Sequence, residues 1–236
     1  MITYTAARIL NQILDSQGDG TGTTAQVYGA KSVGDATNAT PIVITSTSHG
    51  YSDGDFVHIT GVVGNTAAND LHVVTNKTAN TFELNTPAGA NVAGNGSYDS
   101  AGSCFLCFAC KPTTGERFCL HKFQGYMIGG TEADAKKYHD QTALSNGIKI
   151  QVRQDTTLLH MISVLPVKTS MMWGLGAEVQ PIGQRAAAAG ASQTWSHDFS
   201  ACNINLDGDA DEFFVVLNSD AMTVEKQLMS VRGVTI

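Results

Sequence analysis

The chain has few charged residues and no cluster of positive ones. Asp, Glu, Lys and Arg together make up 15% of its 236 residues, and the formal net charge is −7. Phosphate backbones are bound by clustered Lys and Arg, so this balance argues against a nucleic-acid partner. Thr, Ser, Asn and Gln must then cover much of the surface, as in β-rich proteins that bury their exterior against other subunits. A secreted monomer can share this composition, so composition alone leaves the choice open.

Long apolar runs are also missing. No stretch approaches the roughly 20 residues that a membrane-spanning helix needs, so we expect no membrane partner. The first twenty residues lack an apolar core followed by a small-residue cleavage site, which disfavours a signal peptide. The five cysteines, an odd number, are therefore expected to be reduced thiols in a protein that assembles in the cytoplasm.

The common catalytic motifs are absent as well. The sequence contains no G-x-S-x-G elbow, no H-E-x-x-H helix and no G-x-x-x-x-G-K-[ST] phosphate loop. Ser196, His197 and Asp198 are consecutive, and neighbours in a strand point to opposite faces, so they are not expected to form a triad. These observations predict a non-enzymatic protein without a cofactor.

Short β-branched or alternating runs, separated by Gly, Asn and Asp, fill most of the chain. They predict an all-β fold, most simply a jelly-roll-like β-sandwich. The predicted strands cover residues 41–46, 55–60, 71–76, 81–85, 104–110, 117–123, 148–152, 157–167, 193–199, 212–218 and 227–236.

Two segments carry helical signals. Residues 131–147 predict one short surface helix, because Thr131 can cap its first turn and Gly147 can end it. Four apolar residues between Ile9 and Leu14 are spaced so that they can share one helical face. A short helix and a docking arm are both open for this N-terminal segment.

Shifts in composition divide the chain into three segments. Residues 1–34 are predicted to be an N-terminal arm and the first part of the main β domain. Residues 35–102 are predicted to be a small inserted all-β barrel or sandwich module, and residues 103–236 the main sandwich. An insertion of this kind is tolerated when its two ends lie close together.

The most specific pattern lies inside the predicted module. Residues 49–62 read HGYSDGDFVHITGV and are followed by LHVVTN, TFEL and GSYDSAG. We call its fixed positions the motif residues: His49, Gly50, Gly54, Asp55 and Gly61. The motif resembles a repeat in bacteriophage tail and virion proteins that is similar to the first catalytic-cysteine half-domain fold of ubiquitin-activating enzymes. The resemblance implies a non-catalytic spacer or surface-displayed module of a virion structural protein.

The residues of the motif also predict their own local roles. An imidazole at a turn can bond to nearby backbone, so His49 is expected to hold the turn that it begins. In the strand that follows, Val57 and Ile59 share one face and are expected to point into the core, whereas His58 is expected to face solvent.

The resemblance leads to a specific functional expectation. We expect a capsid decoration, or cement, protein on the outer surface of the phage head, with the major capsid protein as its partner. Decoration proteins commonly form trimers, so a homotrimer is expected from that class. A tail or neck fibre component and a carbohydrate-binding β-sandwich are the alternatives.

Met171, Met172 and Trp173 form an apolar group that we predict to be a subunit contact.

Two other patterns could bind metal. Cys104, Cys107 and Cys110 have the C-x-x-C-x-x-C spacing of zinc or iron–sulfur ligands, but the residues between them are apolar. This predicts a buried strand in which Cys107 faces away from the other two thiols.

The second pattern places Asp207, Asp209 and Asp211 like the first half of a calcium loop. Glu212 and Asn218 stand where such a loop has its glycine and its bidentate glutamate. We expect an ordinary acidic turn, and calcium binding there stays open.

Overall fold

The protein folds almost entirely into antiparallel β-strands. The structure is a computed structural model that describes residues 8–15, 30–129, 148–165, 177–182, 191–199, 204–217 and 226–235. These residues form sixteen strands and a single 3₁₀ turn, Thr66–Ala68, which confirms the predicted all-β class. No helix in this part of the chain is long and apolar enough to cross a membrane. The helix predicted for residues 131–147 lies outside the described residues.

The strands form two sheets. In chain order they are β1 Arg8–Asp15, β2 Lys31–Ser32, β3 Asp35–Ala36, β4 Val43–Thr45, β5 Phe56–Thr60, β6 Asp70–Thr75, β7 Thr81–Asn85, β8 Ser103–Cys110, β9 Arg117–Gly129, β10 Ile148–Gln154, β11 Thr157–Leu165, β12 Ala177–Ile182, β13 Ala191–Asp198, β14 Ile204–Asp207, β15 Glu212–Leu217 and β16 Lys226–Thr235. The six-stranded sheet has the order β1-β16-β9-β13-β12, and β14 also pairs with β9. The ten-stranded sheet has the order β11-β10-β15-β8-β5-β6-β7-β4-β3, and β2 also pairs with β8.

Aromatic side chains from both sheets meet in the core. The Phe123 ring on β9 lies 5.1 Å from the ring of Phe214 on β15 and 5.8 Å from that of Phe108 on β8, centroid to centroid. The Phe199 ring, just after β13, lies 6.0 Å from Phe214. All four side chains are buried. Packing of two antiparallel sheets around such a layer is the arrangement of a β-sandwich.

One sheet continues across the predicted boundary at residue 102. β5, inside the predicted module, pairs with β8 from Phe56 opposite Cys107 to Thr60 opposite Ser103. The backbone N–H of Val33 donates to the carbonyl oxygen of Gly102 at 3.0 Å, so the two ends of the predicted module lie side by side. A single core cluster extends through both segments. The boundaries themselves stay predictions.

The N-terminal segment is a strand, so its helical alternative is wrong. All eight residues of β1 pair with β16, from Arg8 opposite Gly233 to Asp15 opposite Lys226. The spacing of the apolar residues was compatible with a helical face, but pairing with a strand from the other end of the chain determines the local structure.

Candidate functional sites

The first motif residue, His49, is a buried part of the turn that it begins. Its Nδ1 accepts a hydrogen bond from the backbone N–H of Tyr51 at 3.0 Å, as expected for an imidazole that holds a turn. Its ring centroid lies 5.1 Å from that of Tyr51 and 5.0 Å from that of Phe82. Burial lowers the pKa of His49, although the nearby carbonyls of Thr81 and Thr78 partly oppose this. The side chain is therefore held as a neutral acceptor.

The glycines and the aspartate of the motif shape the turns before and after β5. Gly50, Gly54 and Gly61 have φ angles of 75°, 91° and 79°, in the left-handed region that side chains rarely adopt. The Asp55 carboxylate accepts the backbone N–H of Ser52 at 2.7 Å. Burial raises the pKa of Asp55, and the hydrogen bond from Ser52 partly opposes this. Each of these motif residues therefore has a conformational role.

Tyr51 connects this turn to the main sandwich. Its side chain is 1% exposed, and its hydroxyl donates to the carbonyl oxygen of Cys104 on β8 at 3.3 Å. Burial raises the pKa of Tyr51, so the hydroxyl keeps its proton as a donor. Val57 and Ile59 on β5 are both fully buried, which confirms their predicted orientation. We call residues 49–55 the motif turn, and we call the contacts that this turn and β5 make with β8 the motif joint.

The three cysteines of β8 are buried on opposite faces of the strand. Cys104 and Cys110 belong to the large core between the sheets, whereas Cys107 packs in a separate cluster with Leu71 and Phe213. The alternation predicted from the sequence is confirmed. Burial raises the pKa of Cys104 to about 12, which disfavours the thiolate that metal binding requires.

The acidic turn holds its carboxylates on three different partners. Asp207 forms an ion pair with Arg117 at 2.8 Å, and Asp211 forms one with Lys111 at 2.6 Å. Asp209 accepts the backbone N–H of Gly115 at 2.8 Å. Within the described residues, no group of three or more His, Cys, Asp or Glu is placed to hold a metal ion.

Loops from both predicted domains meet beside this turn. The Lys111 ammonium that binds Asp211 also donates to the carbonyl oxygen of Pro87 at 2.7 Å. Asp155, at the turn between β10 and β11, accepts the backbone N–H of Ala88 at 2.9 Å. These contacts form a second link between residues 35–102 and the main sandwich.

Sequence patterns did not predict the buried polar side chains of β6 and β10. Arg153, 8% exposed, donates to both carboxylate oxygens of Asp70 at 3.3 and 3.4 Å and to the carbonyl of Thr156 at 2.6 Å. His72 is 4% exposed, and neither of its ring nitrogens makes a hydrogen bond of normal geometry. Burial lowers the pKa of His72 to about 4, although Asp70 opposes the shift. Asp70 has a φ of 137°, a backbone conformation that no sequence pattern predicted.

The structure describes the remaining predicted site residues only in part. Met171, Met172 and Trp173, the predicted subunit contact, lie outside the described residues. Ser196, His197 and Asp198 are consecutive residues of β13, where they pair with Gln124, Phe123 and Lys122 of β9.

No protein-family model matches the sequence, and a search of curated proteins finds no match either.

Proposed function

We propose that the chain is a non-enzymatic structural protein of a bacteriophage virion. Within that class, we propose a decoration protein that binds the major capsid protein on the outer surface of the head. The proposal starts from the resemblance of residues 49–62 to repeats of phage tail and virion proteins. It is supported by the structural roles of the motif residues, which form turns and pack in the core of this chain.

The motif joint is the observation that carries the proposal. β5 pairs with β8 over five residues, and the Tyr51 hydroxyl bonds to the Cys104 carbonyl in the same region. The loops around Lys111 connect the two segments a second time. Two links of this kind make the segments resist separation, which suits a protein whose work is to carry load between neighbouring subunits.

The reactive side chains near the motif are engaged in structure. His49 accepts a backbone N–H, Asp55 does the same, and the Cys104 thiol is buried with a raised pKa. A catalytic base or nucleophile needs access to a substrate and a pKa suited to proton transfer. These groups therefore favour a structural role over an enzymatic one.

The charge of the chain favours the outer surface of the head over its interior. The formal net charge is −7, and packaged DNA is densely negative. An acidic protein is repelled by that interior, whereas the outer shell imposes no such cost. Contacts across subunit boundaries would add buried area and raise the resistance of the shell to disruption.

Sedimentation with purified particles tests this proposal. The protein is mixed with heads and, separately, with tails of the phage that encodes it, at equal particle mass. We expect saturable cosedimentation with heads and none with tails. Binding to tails alone would overturn the decoration role in favour of a tail or neck component. Binding to neither particle, together with retention on immobilised polysaccharide, would favour the carbohydrate-binding alternative.

A further inference from the structure

The segment that follows β7 contains the pair Asn95–Gly96. In such a pair the backbone nitrogen of the glycine can attack the side-chain amide of the asparagine, because glycine has no side chain that hinders the approach. The attack converts the asparagine to an acidic residue. A second pair of this kind, Asn146–Gly147, lies outside the described residues.

Packing requires glycine on both sides of Asn95. A Cβ atom on Gly96 would lie 2.7 Å from the carbonyl oxygen of Gly64, well inside van der Waals contact. A Cβ atom on Gly94 would lie 2.6 Å from the side-chain oxygen of Asn38 and 2.8 Å from the Cα atom of the same residue. The fold therefore fixes the main chain around Asn95 and retains the glycine that makes the pair reactive.

The Asn95 amide is exposed, and hydrogen bonds orient it. Its Oδ1 accepts the backbone N–H of Ala67 at 3.0 Å, and its Nδ2 donates to the hydroxyl oxygen of Thr66 at 2.9 Å. A donor on Oδ1 stabilises the negative charge that develops on this oxygen when a nucleophile attacks the amide carbon. Among the described residues, no hydrogen bond uses the backbone N–H of Gly96, so the attacking nitrogen is not engaged elsewhere.

We infer that Asn95 deamidates in the folded protein to aspartate and isoaspartate. The backbone nitrogen of Gly96 bonds to Cγ of Asn95, the bond from Cγ to Nδ2 breaks, and the proton of the attacking nitrogen leaves with the amino group as ammonia. The product is a cyclic succinimide. Water then adds to one of its two carbonyl carbons and opens the ring, which gives either aspartate or isoaspartate. The reaction needs only water and involves no oxidation or reduction.

The two products fit the site differently. Aspartate keeps the length of the main chain, and its carboxylate can accept both the N–H of Ala67 and the hydroxyl proton of Thr66. Isoaspartate passes the main chain through the former side chain and so adds one backbone atom. Because the glycines on either side are packed against Asn38 and Gly64, this extra atom has no room without a shift of the segment. We expect aspartate to preserve the local structure and isoaspartate to loosen it.

Ageing of the purified protein tests the inference. The folded protein and a synthetic peptide of residues 91–100 are incubated at pH 8, and peptide mass spectrometry follows the loss of the Asn95 amide. We expect conversion in both, with a more acidic form of the folded protein accumulating on ion exchange. Asn95→Gln is the matched control, because it keeps an amide but would have to form a larger ring, and this position should stay amidated.

Two results would overturn the inference. One is an unconverted Asn95 in the folded protein after several half-lives of the peptide. The other is conversion that begins only when urea unfolds the protein. These measurements need no phage particle, so their result is independent of whether the protein binds heads.

A second variant tests how the products fit. Asn95→Asp should have the melting temperature of the unaged wild type, whereas the isoaspartate form, separated from aged protein by ion exchange, should unfold at a lower temperature. Equal melting temperatures for the aspartate and isoaspartate forms would contradict the fit that we infer for this site.

Discussion

The Tyr51 hydroxyl donates to the Cys104 carbonyl oxygen at 3.3 Å and so connects the motif turn to the central strand β8. Tyr51 is also one of three aromatic rings in contact, with its centroid 5.6 Å from that of Phe82. The hydrogen bond and the packing of the ring contribute differently to the fold. The hydrogen bond fixes position, while burial of the ring supplies most of the stabilisation.

Truncating Tyr51 in two steps separates these contributions. Tyr51→Phe removes only the hydroxyl and is expected to lower the free energy of unfolding by about 1 kcal/mol. Tyr51→Ala also leaves a cavity in the core and is expected to lower it by about 3–5 kcal/mol. Urea titrations followed by circular dichroism measure both. Equal losses in the two variants would show that the ring contributes nothing beyond its hydroxyl.

His72 makes stability depend on pH. Its pKa is about 4 in the folded protein, below its usual 6.5, so the unfolded chain binds the proton more tightly. Stability is therefore lost as pH falls from about 6.5 toward 4. His72→Leu removes this proton-binding group. Between pH 7 and pH 5, the free energy of unfolding should therefore fall by about 2 kcal/mol more in the wild type than in the variant.

The comparison between the two proteins isolates His72 from other groups. The pKa of His49 is also lowered, but His49 is present in both proteins and its effect cancels in the difference. Around His72, the charge of Asp70 raises its pKa, while those of His58 and Arg153 lower it. Urea titrations at the two pH values give the result. Parallel losses of stability in both proteins would contradict the assignment.

The cysteines of β8 should be unreactive in the folded protein. Cys104, Cys107 and Cys110 are buried, whereas Cys119 on β9 is partly exposed. We expect N-ethylmaleimide at pH 7 to modify Cys119 in native protein and to reach the other three only after unfolding in urea. Peptide mass spectrometry resolves the sites. Native modification of Cys104 at the rate of Cys119 would contradict the buried assignment.

Lys111 should contribute measurably to the link between the segments. Lys111→Met keeps the aliphatic part but loses the bonds to Asp211 and to the Pro87 carbonyl. Because both charged groups are partly exposed, the expected loss is only about 0.5–1 kcal/mol. Lys77→Met is the matched control at an exposed position and should change stability less. Thermal unfolding of the two variants at pH 7 compares their losses of stability.

Much of the local structure could be predicted from the sequence. β7 has the predicted bounds, 81–85, because alternating apolar residues between turn residues determine a strand locally. The opposite orientations of Cys104 and Cys107 followed from the same two-residue period.

The long-range arrangement could not be predicted in this way. β1 resembled a helix until its pairing with β16 was known. β12 contains Pro181, and β14 ends in the acidic turn, so neither stood out as a strand. The pairing of β5 with β8 and the contact of Arg153 with Asp70 join residues far apart in the chain, and periodicity carries no information about such partners.

The stability of empty phage heads with and without the protein tests the proposed function most directly. Expanded heads that lack the protein are mixed with increasing amounts of it, and their disruption temperature is followed by light scattering. We expect the temperature to rise and then to level off at a fixed number of copies per head. An unchanged disruption temperature at saturating protein, with no protein bound to the heads, would contradict the proposed role.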